Sequence, residues 1–141
     1  MPERPVFVDT GYLVALLNRR DALHERALEL AAEWARDDAA LLTTDAVLIE
    51  LANFFARGSL RAYVTSAIER IRSAPGWMVE HLSPLRLNRG IARYASHPDK
   101  GWSLTDCLSM DTMLDHHAIE VATPDHHFVQ AGFRTLMKPP R

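Results

Sequence analysis

Apolar positions along the chain follow two alternating periods. Short unbroken runs predict strands: Val6–Val8, "AALLTT" at 39–44, "WMVEHL" at 77–82, "IEVAT" at 119–123 and "FRTLM" at 133–137. Between them, apolar residues recur at spacings of three and four, as buried helix faces require. Leu23, Ala27, Leu30, Ala31 and Trp34 form one stripe; Val47, Leu48, Leu51, Phe54 and Phe55 a second; Leu60, Val64, Ala67, Ile68 and Ile71 a third. Gly11–Asn18 reads as a short helix, 84 to about 96 as another, and a last one opens at Ser103 or Thr105 and runs to roughly His117. The punctuation agrees. Asp21, Thr44 or Asp45, Ser59 and Ser83 stand where N-caps belong, Pro84 sits at a first helical position, and Gly58 and "APG" at 74–76 are stops.

Strands alternating with helices imply right-handed crossovers and an α/β fold: a parallel sheet of four to five strands with helices on both faces. No repeat, low-complexity segment or linker interrupts the pattern, so residues 1–141 are expected to form a single domain. Nearly half the residues are apolar, enough for one packed core. No apolar run approaches the roughly 20 residues of a membrane span, and the charged N-terminus lacks a secretory apolar segment. The only cysteine, Cys107, cannot form an internal disulfide, and its setting in an apolar helix suits packing. The expectation is a soluble cytoplasmic protein with no membrane partner.

The net charge of −2 carries no message, but its distribution does. Residues 1–56 hold five basic and ten acidic side chains; residues 57–100 hold eight basic (Arg57, Arg61, Arg70, Arg72, Arg86, Arg89, Arg93, Lys100) and three acidic. A basic middle third is either a phosphate-binding face or a set of solvated helix surfaces.

Ligands of open α/β sheets bind beyond the carboxyl ends of the strands. Four acids fall near that edge. Asp9 ends the first strand, Asp125 follows the fourth, Glu50 lies in the second turn of the helix after the second strand, and Asp106 lies in the first turn of the helix opened by "WSLTD". A first-turn acid is favoured by the helix dipole, which suffices for Asp106. Glu50, on the face expected to pack inward, has no such support. Carboxylates converging in a partly buried place repel one another unless protonated or bridged by a cation. An oxygen-only set suits Mg²⁺ or Mn²⁺, which can activate water and neutralise charge at a phosphate. Asn53, one turn beyond Glu50, is placed to bond a ligand or metal-bound water, and Thr10, Thr105 and Thr123 flank the acids with hydroxyls suited to orienting them. Capping or surface acids remain the alternative on spacing alone.

Other residues draw plainer readings. His116-His117 and His126-His127 are adjacent pairs whose side chains diverge by about 100° on a helix, so neither pair alone chelates zinc; surface or helix-end positions are expected, with His126 and His127 directly following Asp125. Asp111 and Asp115 point away from Asp106 and are read as exposed acids, and Asp99 as a loop acid. Trp77 and Trp102 fit core or interface positions, with base stacking as the alternative. Lys100 or a middle-third arginine is a candidate phosphate contact.

The segments "FVDTGYLVALLN", "TTDAVLIELANFF", "DKGWSLTDCLSM" and "VATPDHHFVQAGF" resemble, in order, the four motifs of the PIN domain family, over nearly the whole chain. The resemblance implies a three-layer fold with a central parallel sheet and a metal-dependent endoribonuclease. For short chains of this kind it implies the toxin of a VapBC-type pair, dimeric and inhibited by a small antitoxin. It carries the four family acids onto Asp9, Glu50, Asp106 and Asp125. Asp9 and Asp106 would be the principal Mg²⁺ or Mn²⁺ ligands, Glu50 and Asp125 would complete the pocket, and Thr10 and Thr123 match the family's polar positions. Pro124 departs from the pattern: it removes a backbone donor directly before the fourth acid. Two other readings stand beside the ribonuclease. One is a PIN-like module that only binds RNA or protein. The other is a phosphoacceptor domain, which the chain fits poorly because no lysine closes a strand end near the acids.

Overall fold

The computed structural model describes residues 4–139. Five strands, β1 (Val6–Val8), β2 (Leu41–Thr44), β3 (Trp77–Glu80), β4 (Glu120–Ala122) and β5 (Arg134–Thr135), form one parallel sheet in the order β3-β2-β1-β4-β5. Val6, Phe7 and Val8 are all buried at its centre, which is why the first strand is a continuous apolar run. The described residues also form seven helices: α1 (Thr10–Leu17), α2 (His24–Asp37), α3 (Asp45–Phe54), α4 (Arg61–Ser73), α5 (Pro84–Ser96), α6 (Leu104–Asp115) and α7 (His126–Gln130). The chain leaves β1 toward β2 and β3 on one side and returns to β4 and β5 on the other. Chain order therefore reverses between β1 and β4, the crevice where such sheets bind ligands.

Local chemistry explains most boundaries. The Thr44 hydroxyl accepts from Val47 N–H and Ser83 Oγ accepts from Arg86 N–H, each at 3.1 Å, so both cap their helices as expected. Ser103 rather than Thr105 opens α6, in a reciprocal capping box with Asp106. Asp21 is not a cap: its carboxylate accepts from Leu23 N–H in the turn before α2, and the helix begins at His24. Ser59 is likewise outside its helix, which starts at Arg61, and α3 stops at Phe54, short of Gly58.

Three burial expectations are corrected. Phe54 is 63% exposed, because α3 ends there and its inward stripe is Val47, Leu48, Leu51 and then Phe55. Glu50 is exposed as well: Val47, Leu48 and Leu51 face the core, and Glu50 shares the solvent side of α3 with Ile49 and Asn53. Asp111 is buried, not exposed. Residues 106–113 of α6 are buried without a break, since α6 is covered by α5 and contacts α3 and α7. A carboxylate inside such a helix requires a partner, and Asp111 has two. Arg86 Nη1 donates to it, and Arg89 Nη2 lies 3.1 Å away; Arg86 also reaches Glu80 and Asp115. Burial alone would weaken the Arg86 charge, but hydrogen bonds to Glu80, Asp115 and Asp111 outweigh it and hold its pKa above the ordinary arginine value. Two of the eight middle-third bases are thereby committed to the fold, and a third, Arg61, donates to the Ala56 carbonyl.

Candidate metal centre

Asp9 caps the end of β1 at the crevice, and its backbone N–H extends the ladder to Ala122 O at 3.2 Å. Its side chain is only 7% exposed. Thr123, fully buried at the end of β4, donates its hydroxyl to Asp9 Oδ2 at 2.9 Å and accepts from Asp125 N–H at 3.2 Å. One threonine therefore orients the acid of β1 and the backbone that carries the acid after β4. Asp125 in turn caps α7, accepting from His127 N–H at 2.9 Å. The Pro124 ring packs on Gly11, where a Cβ would come within 2.8 Å of Pro124 Cδ. Glycine at position 11 is what admits the ring.

From the other side of the crevice, Asp106 enters at the third position of α6. Its Oδ2 accepts from Ser103 N–H at 3.0 Å and lies 3.1 Å from His127 Nδ1. The same ring nitrogen is 3.3 Å from Asp125 Oδ1. A continuous hydrogen-bonded chain thus runs Asp9–Thr123–Asp125–His127–Asp106. Glu50 overlooks it from α3, exposed but near enough for its charge to act on Asp9. Asn53 is exposed one turn further along α3, and Thr105 is half-buried at the start of α6. Thr10, beside Asp9, is buried, and its hydroxyl has no hydrogen-bond partner.

The electrostatics single out Asp9. Burial, above all, pushes its carboxyl up to about 7; hydrogen bonds from Thr123 and Thr10 oppose this, and the charges of Asp106 and Glu50 add to it. Among the described residues, no lysine or arginine pairs with Asp9, Glu50, Asp106 or Asp125; His127 and His126 are the neighbouring bases. These four acids and the orphaned Thr10 hydroxyl suit a hard divalent cation, which would favour the ionised form of each acid.

His127 is the residue that sequence reasoning undervalued. As half of a doublet it read as a helix-end histidine, whereas the turn from Asp125 into α7 brings it against two acids. Its spacing of two from Asp125 was the available signal. Asp99 is paired with Lys100 at 3.6 Å, and Trp102 is buried with its indole N–H donating to Gln130 at 3.1 Å, so neither of those two side chains adds to the centre.

The chain is similar in structure to VapC20 of Mycobacterium tuberculosis, a Sarcin-Ricin loop cleaving toxin. The TM-score is 0.82 and the identity 26%, over 95% of this chain and 99% of the other. FitAcB from Neisseria gonorrhoeae has the same fold at TM-score 0.63 and 16% identity, covering 92% of this chain and 95% of that one. VapBC2 from Rickettsia felis, solved bound to a DNA fragment from its promoter, does so at 0.62 and 15%, covering 92% and 96%. No curated protein sequence matches. The PIN domain family model matches residues 6–134, and with the parallel sheet and its acidic crevice in view, the chain belongs to the PIN domain family.

Proposed function

We propose that this protein is a divalent-metal-dependent endoribonuclease that hydrolyses RNA phosphodiester bonds, and that it is the toxin of a type II toxin–antitoxin pair. The observation that carries the proposal is the convergence of Asp9, Asp106, Asp125 and Glu50 at the switch point with no lysine or arginine paired to them. Membership of the PIN domain family and the likeness to VapC20 support the same reading.

Asp9 and Asp106 are the residues that would hold Mg²⁺ or Mn²⁺, with Asp125 and Glu50 at the margin. Such an ion supplies positive charge at the phosphate and a water acidic enough to attack it. The protein's part is positional. Thr123 fixes the rotamer of Asp9, the capping box fixes Asp106, and Asp125 is held by the first turn of α7. Glu50, exposed at the mouth, is the acid with free access to solvent. Lys100 precedes Gly101 on the loop that lies against His127, and is the basic residue assigned to a flanking phosphate.

The partner reading follows the toxin reading. A groove of about 1370 Å³ lies between α1, α2 and α4, floored by Tyr12, Leu16, Trp34 and Ala67 and bordered by Arg19, Arg20 and Arg70. An antitoxin segment with apolar anchors and acidic flanks suits it. Exposed Leu85, Ile91 and Tyr94 on α5 support a homodimer. No helix among the described residues is long and apolar enough to cross a membrane, and the lone buried cysteine fits a cytoplasmic setting.

The deciding experiment is cleavage of a structured RNA pool by purified protein with Mg²⁺ or Mn²⁺, against EDTA and against Asp106→Asn prepared identically. Metal-dependent cutting that is lost in the variant is expected. Absence of cutting by folded, partner-free protein would replace the enzyme with an RNA- or protein-binding module, and equal cutting by both proteins would overturn the role given to Asp106.

A further inference from the structure

We propose that His127 is a nitrogen donor of the metal centre and biases it toward Mn²⁺ over Mg²⁺; the proposal rests on the metal-site reading above. Three observations place it there. His127 Nδ1 stands 3.1 Å from Asp106 Oδ2 and 3.3 Å from Asp125 Oδ1. Adjacent ligands around one small divalent ion, each bound at roughly 2.0–2.2 Å, stand about 3 Å apart. The nitrogen and each of the two oxygens are thus already spaced as neighbouring donors. Asp125, His126 and His127 also offer ligand atoms within 4.8 Å of one another.

The ring is held so that Nδ1 is the nitrogen presented. Its backbone N–H is tied to Asp125, and its Nε2 edge lies over Gly101, where a Cβ would stand 3.5 Å from Nε2. The side chain is 23% exposed, whereas that of His126 is 71% exposed and 3.8 Å from Asp125. His126 is the natural control.

Imidazole binds Mn²⁺ and the later transition metals readily but adds little for Mg²⁺, which prefers oxygen and retains its waters. One nitrogen among carboxylates therefore shifts preference rather than creating the site. A competing arrangement has the same Nδ1 protonated, sitting between the two carboxylates in place of a cation. That arrangement leaves no lone pair for a metal.

Pulsed electron paramagnetic resonance of Mn²⁺ bound to the purified full-length protein separates the two, because a directly coordinated imidazole imprints ¹⁴N modulation on the Mn²⁺ echo. The expected result is ¹⁴N modulation in wild type and His126→Gln and its loss in His127→Gln. The ratio of Mn²⁺ to Mg²⁺ affinity, measured by calorimetry, should fall about tenfold in His127→Gln alone. Mn²⁺ binding that needs Asp106 yet shows no ¹⁴N modulation in wild type would overturn the proposal and leave the metal centre standing. Failure of wild type to bind Mn²⁺ at all would overturn both. The wild-type spectrum decides even if His127→Gln folds poorly.

Discussion

Helix α6 carries two buried acids, Asp106 and Asp111, whose surroundings treat them in opposite ways. Near its C-terminus buried Asp111 and exposed Asp115 meet Arg86 and Arg89, with Glu80 of β3 joining Arg86, so each acid has an arginine partner. At its N-terminus Asp106 meets Asp9, Asp125 and Glu50, and no lysine or arginine is supplied among the described residues. A protein that brings its own cations to one carboxylate cluster and omits them at another, about one and a half to two and a half turns away, has a structural joint and the proposed metal site on one element. Buried acid by itself therefore does not mark function here. The missing counter-charge does.

The contrast can be broken at the joint first. Arg86→Ala leaves Asp111 buried beside a single exposed arginine and should destabilise the protein by about 3–5 kcal/mol in urea unfolding. A loss below about 1 kcal/mol would mean that the joint is solvated and the contrast false. Next come paired substitutions on the same helix. Asp106→Asn should lower cleavage by about 10³-fold, roughly 4 kcal/mol in the transition state, with the fold intact. Asp111→Asn should keep cleavage within a few-fold and cost about 1–3 kcal/mol of stability. Exchanged phenotypes would reverse the assignment of the two clusters.

The third test uses pH without metal. Asp9 titrates at about 7 in the folded protein against 3.8 when free, so between those values the folded state holds a proton that the unfolded chain has released. Stability from this group is therefore present at low pH and falls as pH rises toward and through 7, by at most about 4 kcal/mol. In EDTA the protein should be less stable at pH 8 than at pH 5; Asp9→Asn should remove that part of the slope, and added Mn²⁺ should restore stability at pH 8. An identical slope in Asp9→Asn would show that Asp9 is not the strained acid. The smallest effect is expected of Ser103→Ala, which removes one half of the α6 capping box: about 1 kcal/mol of stability, with cleavage reduced far less than in Asp106→Asn. A loss of cleavage equal to that of Asp106→Asn would make the cap part of the chemistry.

The sequence by itself determined the order of elements, the parallel sheet and the edge on which Asp9, Asp106 and Asp125 lie. Those follow from local rules: short unbroken apolar runs against period-three-and-four stripes, caps such as Thr44 and Ser83, and the crossovers that alternating elements impose. Tertiary structure decided what surrounds each charge. Asp111 looked like a surface acid because it points away from Asp106, and only the packing of α5 shows that this side of α6 is covered too. Glu50 looked like an inward residue because apolar Ile49 and Phe54 widened the apparent stripe, whereas only Val47, Leu48, Leu51 and Phe55 meet the core. His127 looked like half of a surface doublet because a cap two residues earlier, and a glycine in a loop 26 positions away, turn its ring onto two carboxylates. Periodicity reports which face of an element is apolar. Which neighbour meets that face, and whether it brings a counter-charge, depends on contacts distant in sequence, and here those contacts separate the joint from the site.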